Sequence, residues 1–240
     1  TTEEIFLARY LAHDLLGTEM IFSANATMGG ISDVLGADGS TTSYEELSNT
    51  DLIMVLGTAI YPFYPMLGLR VVKAVKNGAK LLLVSNEAGP LTPRAALKMP
   101  MGADVNVLKQ IAKALLNKNP KPEASGVEAL AASLADVEIS AEAQAMADAY
   151  AEAKNAVIVF DRSRSSRAAA QLIADIAVLA GHIGKPRSGI IQMRMRNNSQ
   201  GLADMGIRKN MSDLNDKVYQ KEVRGLVLIG QDIPEEMAKG

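Results

Sequence analysis

The chain has 240 residues, 48% hydrophobic and 22% charged, with a formal net charge of −2. That is enough apolar material for one large or two small domains, and no overall charge that would drive binding to nucleic acid or membrane. With no cysteine and two histidines, disulfides, cysteine-held metals and iron–sulfur ligation within these residues are excluded, and no metal site is expected.

The first helix is expected after Thr2, with Glu3 and Glu4 in its first turn, where the helix dipole favours acids. Ile21 and Phe22 allow a short strand. Ala24 to Thr42 is rich in Gly, Ser, Asn and Asp and reads as a long loop with at most one helical turn, of a length that is often functional. SYEEL from Ser43 has capping-box spacing to Glu46. DLIMVLG (Asp51 to Gly57) is a strand apolar on both faces, the pattern of a parallel sheet covered on both sides. A helix follows from about Met66 to Asn77, with Pro65 at its first position and Gly78 just past its end. AKLLLVS (Ala79 to Ser85) is the second buried strand, which completes a right-handed βαβ unit.

Prolines 90, 93 and 100 argue against regular structure until Asp104, where a helix runs to about Asn117. NPKP (Asn119 to Pro122) reads as a linker. Alanine-rich helices follow over Gly126 to Leu134 and Ala141 to Lys154, the latter capped by Ser140. AVIVF (Ala156 to Phe160) is a third buried strand, followed by a helix from about Ser165 to Ala180. SGIIQMRMR (Ser188 to Arg196) alternates as an extended segment, NNSQGLADMG (Asn197 to Gly206) reads as a polar loop, and Leu214 to Gln220 as a short helix. GLVLIG (Gly225 to Gly230) reads as a last strand. The class is α/β with a doubly wound, mostly parallel sheet, Rossmann-like in plan.

Ligands of such sheets bind beyond the carboxyl ends of the strands, which directs attention to Gly57 to Tyr61 and Ser85 to Gly89. No GxGxxG, P-loop or nucleophile elbow is present. His13 and His182 read as surface or packing residues. Asp161 to Arg196 holds seven basic residues against two acids. Arg162, Arg164 and Arg167 directly follow the third strand, where guanidinium groups suit phosphates or carboxylates, although a solvated basic face fits the same residues. Scarce aromatics speak against a single-stranded nucleic-acid platform.

GHIGKPRSGIIQMRMRNNSQGLADMG resembles the G-N-I-G-K-P-G-x-G and R-G-x-N-N-x-Q-G-x-x-D-M-G run of molybdopterin oxidoreductase large subunits. The likeness is to formate dehydrogenase alpha subunits and to the G-type subunit of NADH:quinone oxidoreductase. EEIFLARYLAHDLLGT, DLIMVLGTAIYPFYPM, GAKLLLVSN and MPMGADVNVL resemble upstream segments of the same family, in the same order.

The resemblance implies an internal fragment of a larger catalytic subunit. Residues 1–195 would be a Rossmann-like domain that cradles one half of a bis-molybdopterin guanine dinucleotide carrying Mo or W. Residues 196–240 would begin a truncated neighbouring domain, and the metal ligand and iron–sulfur clusters would lie outside the fragment. Gly57, Thr58, Ala59, Ser85, Asn86, Gly102, Asp104, Arg162, Arg164, Asn198, Gln200, Gly201 and Asp204 are the implied cofactor-binding positions. Arg194 is the implied catalytic residue, on the arginine that formate dehydrogenases place beside the metal. Implied partners are the rest of the polypeptide, other subunits of a redox complex and a small substrate such as formate, with no nucleic acid and no membrane insertion. The expected location is cytoplasmic, peripheral to a membrane complex at most. Ser85-Asn86-Glu87 replaces the family's D-P-R, Asp161-Arg162-Ser163 its Gly-rich turn and Tyr64 its His. A second reading therefore stays open, a degenerate cofactor-free module that bridges subunits.

Overall fold

A five-stranded, all-parallel sheet in the order β3-β2-β1-β4-β5 organises the larger part of the chain in a computed structural model. The structure describes residues 1–26, 29–57, 60–102, 105–118 and 124–230. Two compact units emerge. One comprises Gly29–Met195, and the other Thr1–Met28 with Arg196–Gly240. Thr1–Met28 thus groups with Arg196–Gly240, whereas the sequence suggested one domain over residues 1–195. Within the second unit, α1 (Thr2–Tyr10) packs on the later chain, Ser23 N donates to Lys209 O at 3.0 Å, and Phe22 bridges to Lys209. That isolated bridge stands where a short strand was expected. Such pairings are remote in sequence and leave no local pattern. Thr1, not Thr2, caps α1 through a capping box with Glu4.

In the larger unit, α2 (Ile31–Leu35) is the single helical turn of the long loop, and α3 (Tyr44–Leu47) has the predicted Ser43/Glu46 capping box. β1 (Leu52–Leu56) is buried throughout and leads through α4 (Ile60–Phe63) and α5 (Pro65–Lys76) to β2 (Lys80–Val84). Pro65 opens α5 because the N–H it lacks has no helical partner at that position. β3 (Leu97–Met99) is a strand the prolines concealed. As a three-residue edge strand it needs only one neighbour, and it pairs Leu97 to Leu82 through Met99 to Val84. Then come α6 (Asn106–Leu116), α7 (Val127–Ser133), α8 (Ala141–Glu152, capped by Ser140), β4 (Ala156–Asp161), α9 (Arg167–Leu179) and β5 (Gly189–Met193). The linker NPKP lies outside the described residues.

Strand pleating sends alternate residues to opposite faces. Leu52, Met54 and Leu56 of β1 pack with α2, α6, α8 and α9, whereas Ile53 and Val55 pack with α3 and α5. Burying each such aliphatic side chain contributes roughly 1.5–3 kcal/mol, which is why both faces need cover.

The smaller unit holds two more helices, α10 (Ser199–Asp204) and α11 (Met211–Tyr219). α10 corrects the polar-loop reading of NNSQGLADMG, because the i,i+4 pair Gln200 Nε2 to Asp204 Oδ1 (2.8 Å) supports a helical turn. GLVLIG corrects in the opposite direction. Leu226 to Ile229 form no strand and are exposed, because a strand exists only where a neighbour accepts its ladder.

Candidate functional site at the carboxyl edge

The parallel sheet places Gly57, Ser85, Asp161 and Arg194 at the same edge, each just after or at the end of its strand. Strand order reverses between β1 and β4, the point where open sheets of this kind bind ligands. Gly57 has φ +86° and open space where a Cβ would stand, so the backbone there is accessible to a ligand's approach. Gly102, also at positive φ, has only Asn106 Cβ near that position, at 3.8 Å. Thr58, Ala59 and Asp104 lie outside the described residues.

Ser85 is committed to its own turn, and Asn86 ties that turn to the segment after β3. The Ser85 hydroxyl donates to Glu87 O at 2.9 Å and accepts from Glu87 N at 3.1 Å, and Asn86 Oδ1 accepts from Met101 N at 2.8 Å. Between β1 and β2, Gly57, Tyr61, Leu83 and Pro90 to Thr92 line a notch of about 10 Å³, room for no more than a water.

The three arginines separate sharply. Arg162 is 3% exposed and donates to Ser165 O at 2.7 Å and Gly29 O at 3.0 Å. Burial lowers its pKa, the Asp38 carboxylate opposes that shift and Arg194 adds to it. The Arg194 side chain is buried too, its Nη2 3.0 Å from Asp38 Oδ2. Arg164 is half exposed, 3.6 Å from Asp161 and 4.4 Å above the Phe63 ring. The β4 end also carries Tyr64, whose phenol is pushed up to about 12 by burial and then by the neighbouring Asp161 carboxylate. Burial likewise raises Asp161.

Asn198, Gln200, Gly201 and Asp204 belong to the smaller unit, where they organise one another. Asn198 Oδ1 accepts from Thr2 Oγ1 at 3.1 Å, and a Cβ at Gly201 would collide with the Asn198 carboxamide.

Sequence reasoning missed Asp38, Gln192 and Phe63. Gln192 left a trace as a lone polar side chain in an apolar strand, which requires a buried partner. Asp38 in GADGS left none.

No family model matches the chain. It is 25% identical over 241 residues to the F420-dependent formate dehydrogenase 1 subunit alpha of Methanococcus maripaludis, a match covering 88% of this chain and 35% of the relative. The chain is similar to formate dehydrogenase alpha subunits. Formate dehydrogenase H of Escherichia coli is 26% identical over 203 residues, covering 75% of this chain and 28% of the relative. The chain thus spans about a third of the length of these relatives. Among solved structures, the acetylene hydratase of Pelobacter acetylenicus superposes with a TM-score of 0.53 at 16% identity, over 64% of this chain and 24% of that one, which supports the shared fold. Among the described residues no helix is long and apolar enough to cross a membrane, and none forms a cluster of His, Cys, Asp and Glu suited to a metal ion.

Proposed function

We propose that the chain is part of the large subunit of a molybdopterin-dependent oxidoreductase, in which the unit Gly29–Met195 abuts one half of a pterin guanine dinucleotide. The carrying observation is the β3-β2-β1-β4-β5 parallel order with an accessible Gly57 backbone at the β1 end. The fit is partial on one side of the edge and poor on the other. Gly57 and Gly102 put no Cβ in the way of a ligand, with Ser85 and Asn86 beside them; Thr58, Ala59 and Asp104 complete the proposed set. On the β4–β5 side Arg162 and Arg194 are engaged internally, whereas Arg164 and Arg167 are half exposed. In this reading the residues of this chain bind and orient the dinucleotide and exclude water. The group, when bound, supplies the metal's redox chemistry, with electrons passing to iron–sulfur centres elsewhere in the full-length protein. Formate is the proposed substrate, and other subunits of a redox complex the proposed partners.

A second reading is favoured by a specific observation. The internal engagement of Arg162 and Arg194 fits a cofactor-free module that keeps the fold and bridges subunits. Metal and nucleotide analysis of the native full-length protein separates them. The first reading expects stoichiometric Mo or W together with guanine nucleotide released on denaturation. Their absence from protein isolated in molybdate- and tungstate-replete medium overturns it in favour of the second.

A further inference from the structure

The outer edge of β5 is covered by the loop that precedes α3. Thr41 N donates to Ile190 O and Ile190 N to Thr41 Oγ1, both at 2.8 Å, and Gln192 N donates to Ser40 Oγ at 3.1 Å. These contacts satisfy the edge of β5 along alternate residues, as an added strand would. They also carry Asp38 alongside Gln192, near the end of β5, and Arg194, one residue past it. There Asp38 Oδ1 accepts from Gln192 Nε2 at 3.2 Å, and Oδ2 lies 3.0 Å from Arg194 Nη2. The Asp38 and Arg194 side chains are 2% and 7% exposed. A guanidinium at the carboxyl edge, one residue past a parallel strand, is a receptor for a small carboxylate by charge and by planar fork geometry. In this molecule a carboxylate is already there, supplied by the chain.

We propose that Asp38 is a built-in counter-ion that fills the anion position of Arg194 and closes it to small external carboxylates. The pair needs no redox or covalent step; it is a competition between an intramolecular carboxylate and a dissolved one. The tethered group has the advantage, because the Thr41 and Ser40 contacts hold it at high effective concentration. The inference holds with or without a dinucleotide, so metal analysis and anion response can fail separately.

The test uses formate, which matches the carboxylate head of Asp38 in size and charge, on the full chain, with chloride at equal ionic strength as control. Wild type is expected to show no formate response that Arg194→Gln removes, and no saturable shift of the Arg194 side-chain NMR signal, so that any binding of formate as substrate elsewhere is read separately. In Asp38→Ala the carboxylate is gone, and formate is expected to raise the midpoint saturably by several degrees. Adding Arg194→Gln to that variant should abolish the response. Asp38→Asn, which keeps the shape, should respond more weakly than Asp38→Ala because the carboxamide still occupies the space. Saturable, Arg194-dependent binding of formate by wild type overturns the proposal. So does an Asp38→Ala protein that formate stabilises no more than chloride does. If that variant does not fold, the wild-type titration alone decides.

Discussion

The imidazole of His182 meets the main-chain carbonyl of Tyr150 at 2.8 Å, while its ring stands edge-on to the Tyr150 ring with centroids 4.7 Å apart and planes at 72°. A carbonyl only accepts, so Nε2 carries the proton. Tyr150 lies in the last turn of α8, where carbonyls have no helical partner, and His182 acts as a side-chain cap. Replacing His182 by Leu is expected to cost about 1–3 kcal/mol by orphaning that carbonyl. Urea denaturation with an unchanged m-value would confirm it.

Tyr150 itself points to a change of opposite sign. Its ring is fully buried, and its hydroxyl has no hydrogen-bond partner among the described residues. Burial also holds the phenol far above its ordinary pKa, so it stays neutral. Tyr150→Phe removes an unsatisfied polar atom and keeps the ring, and should raise stability by about 1 kcal/mol. A loss of stability in the same denaturation experiment would contradict the packing described.

The closure of the β5 edge depends on Gly189, at φ +135°, where a Cβ would run into the Thr41 hydroxyl. Gly189→Ala combines backbone strain with overpacking and should cost roughly 2–4 kcal/mol. Hydrogen exchange should show the amides of Ile190 and Gln192 losing protection first, because they donate to the displaced loop.

Arg162 and Arg164, two residues apart, should behave differently. Arg162→Ala removes a buried guanidinium that satisfies two carbonyls, with an expected loss of about 2–4 kcal/mol. Arg164→Ala removes a half-exposed cation from Phe63 and Asp161 and should cost under about 1 kcal/mol. In the full-length protein the second substitution should instead lower retention of the guanine nucleotide, which gel filtration followed by nucleotide analysis would measure.

Asp175, on α9, has its pKa raised to about 6 by burial. An acid with a raised folded-state value contributes stability that is complete below its unfolded pKa and is lost as pH rises through the folded value. The sensitive window therefore runs from about pH 4 to 6. Asp175→Asn should be about 1 kcal/mol more stable than wild type above roughly pH 7 and indistinguishable near pH 4, the figure being reduced for solvent screening. Thermal midpoints across that range would reveal any other sign.

The sequence by itself determined the elements whose cause is local. LIMVL, KLLLV and AVIVF are continuous apolar runs, and only a parallel sheet covered on both faces buries such runs fully. Ser43, Ser140 and Pro65 mark helix starts because capping is settled within a few residues. The resemblance carried by NNSQGLADMG was equally legible, being a matter of residue order.

Tertiary structure decided what depends on partners remote in the chain. LKM became a strand because β2 offered an edge, whereas GLVLIG, far more apolar, found no ladder and formed none. The first residues joined the later chain through Lys209 instead of the sheet they precede. Most consequentially, charge counting leaves Arg162, Arg164 and Arg194 undistinguished among the seven basic residues of Asp161 to Arg196. Folding buries two and leaves one exposed, because a guanidinium removed from water must find acceptors within reach, and only the folded chain brings Gly29 and Asp38 there.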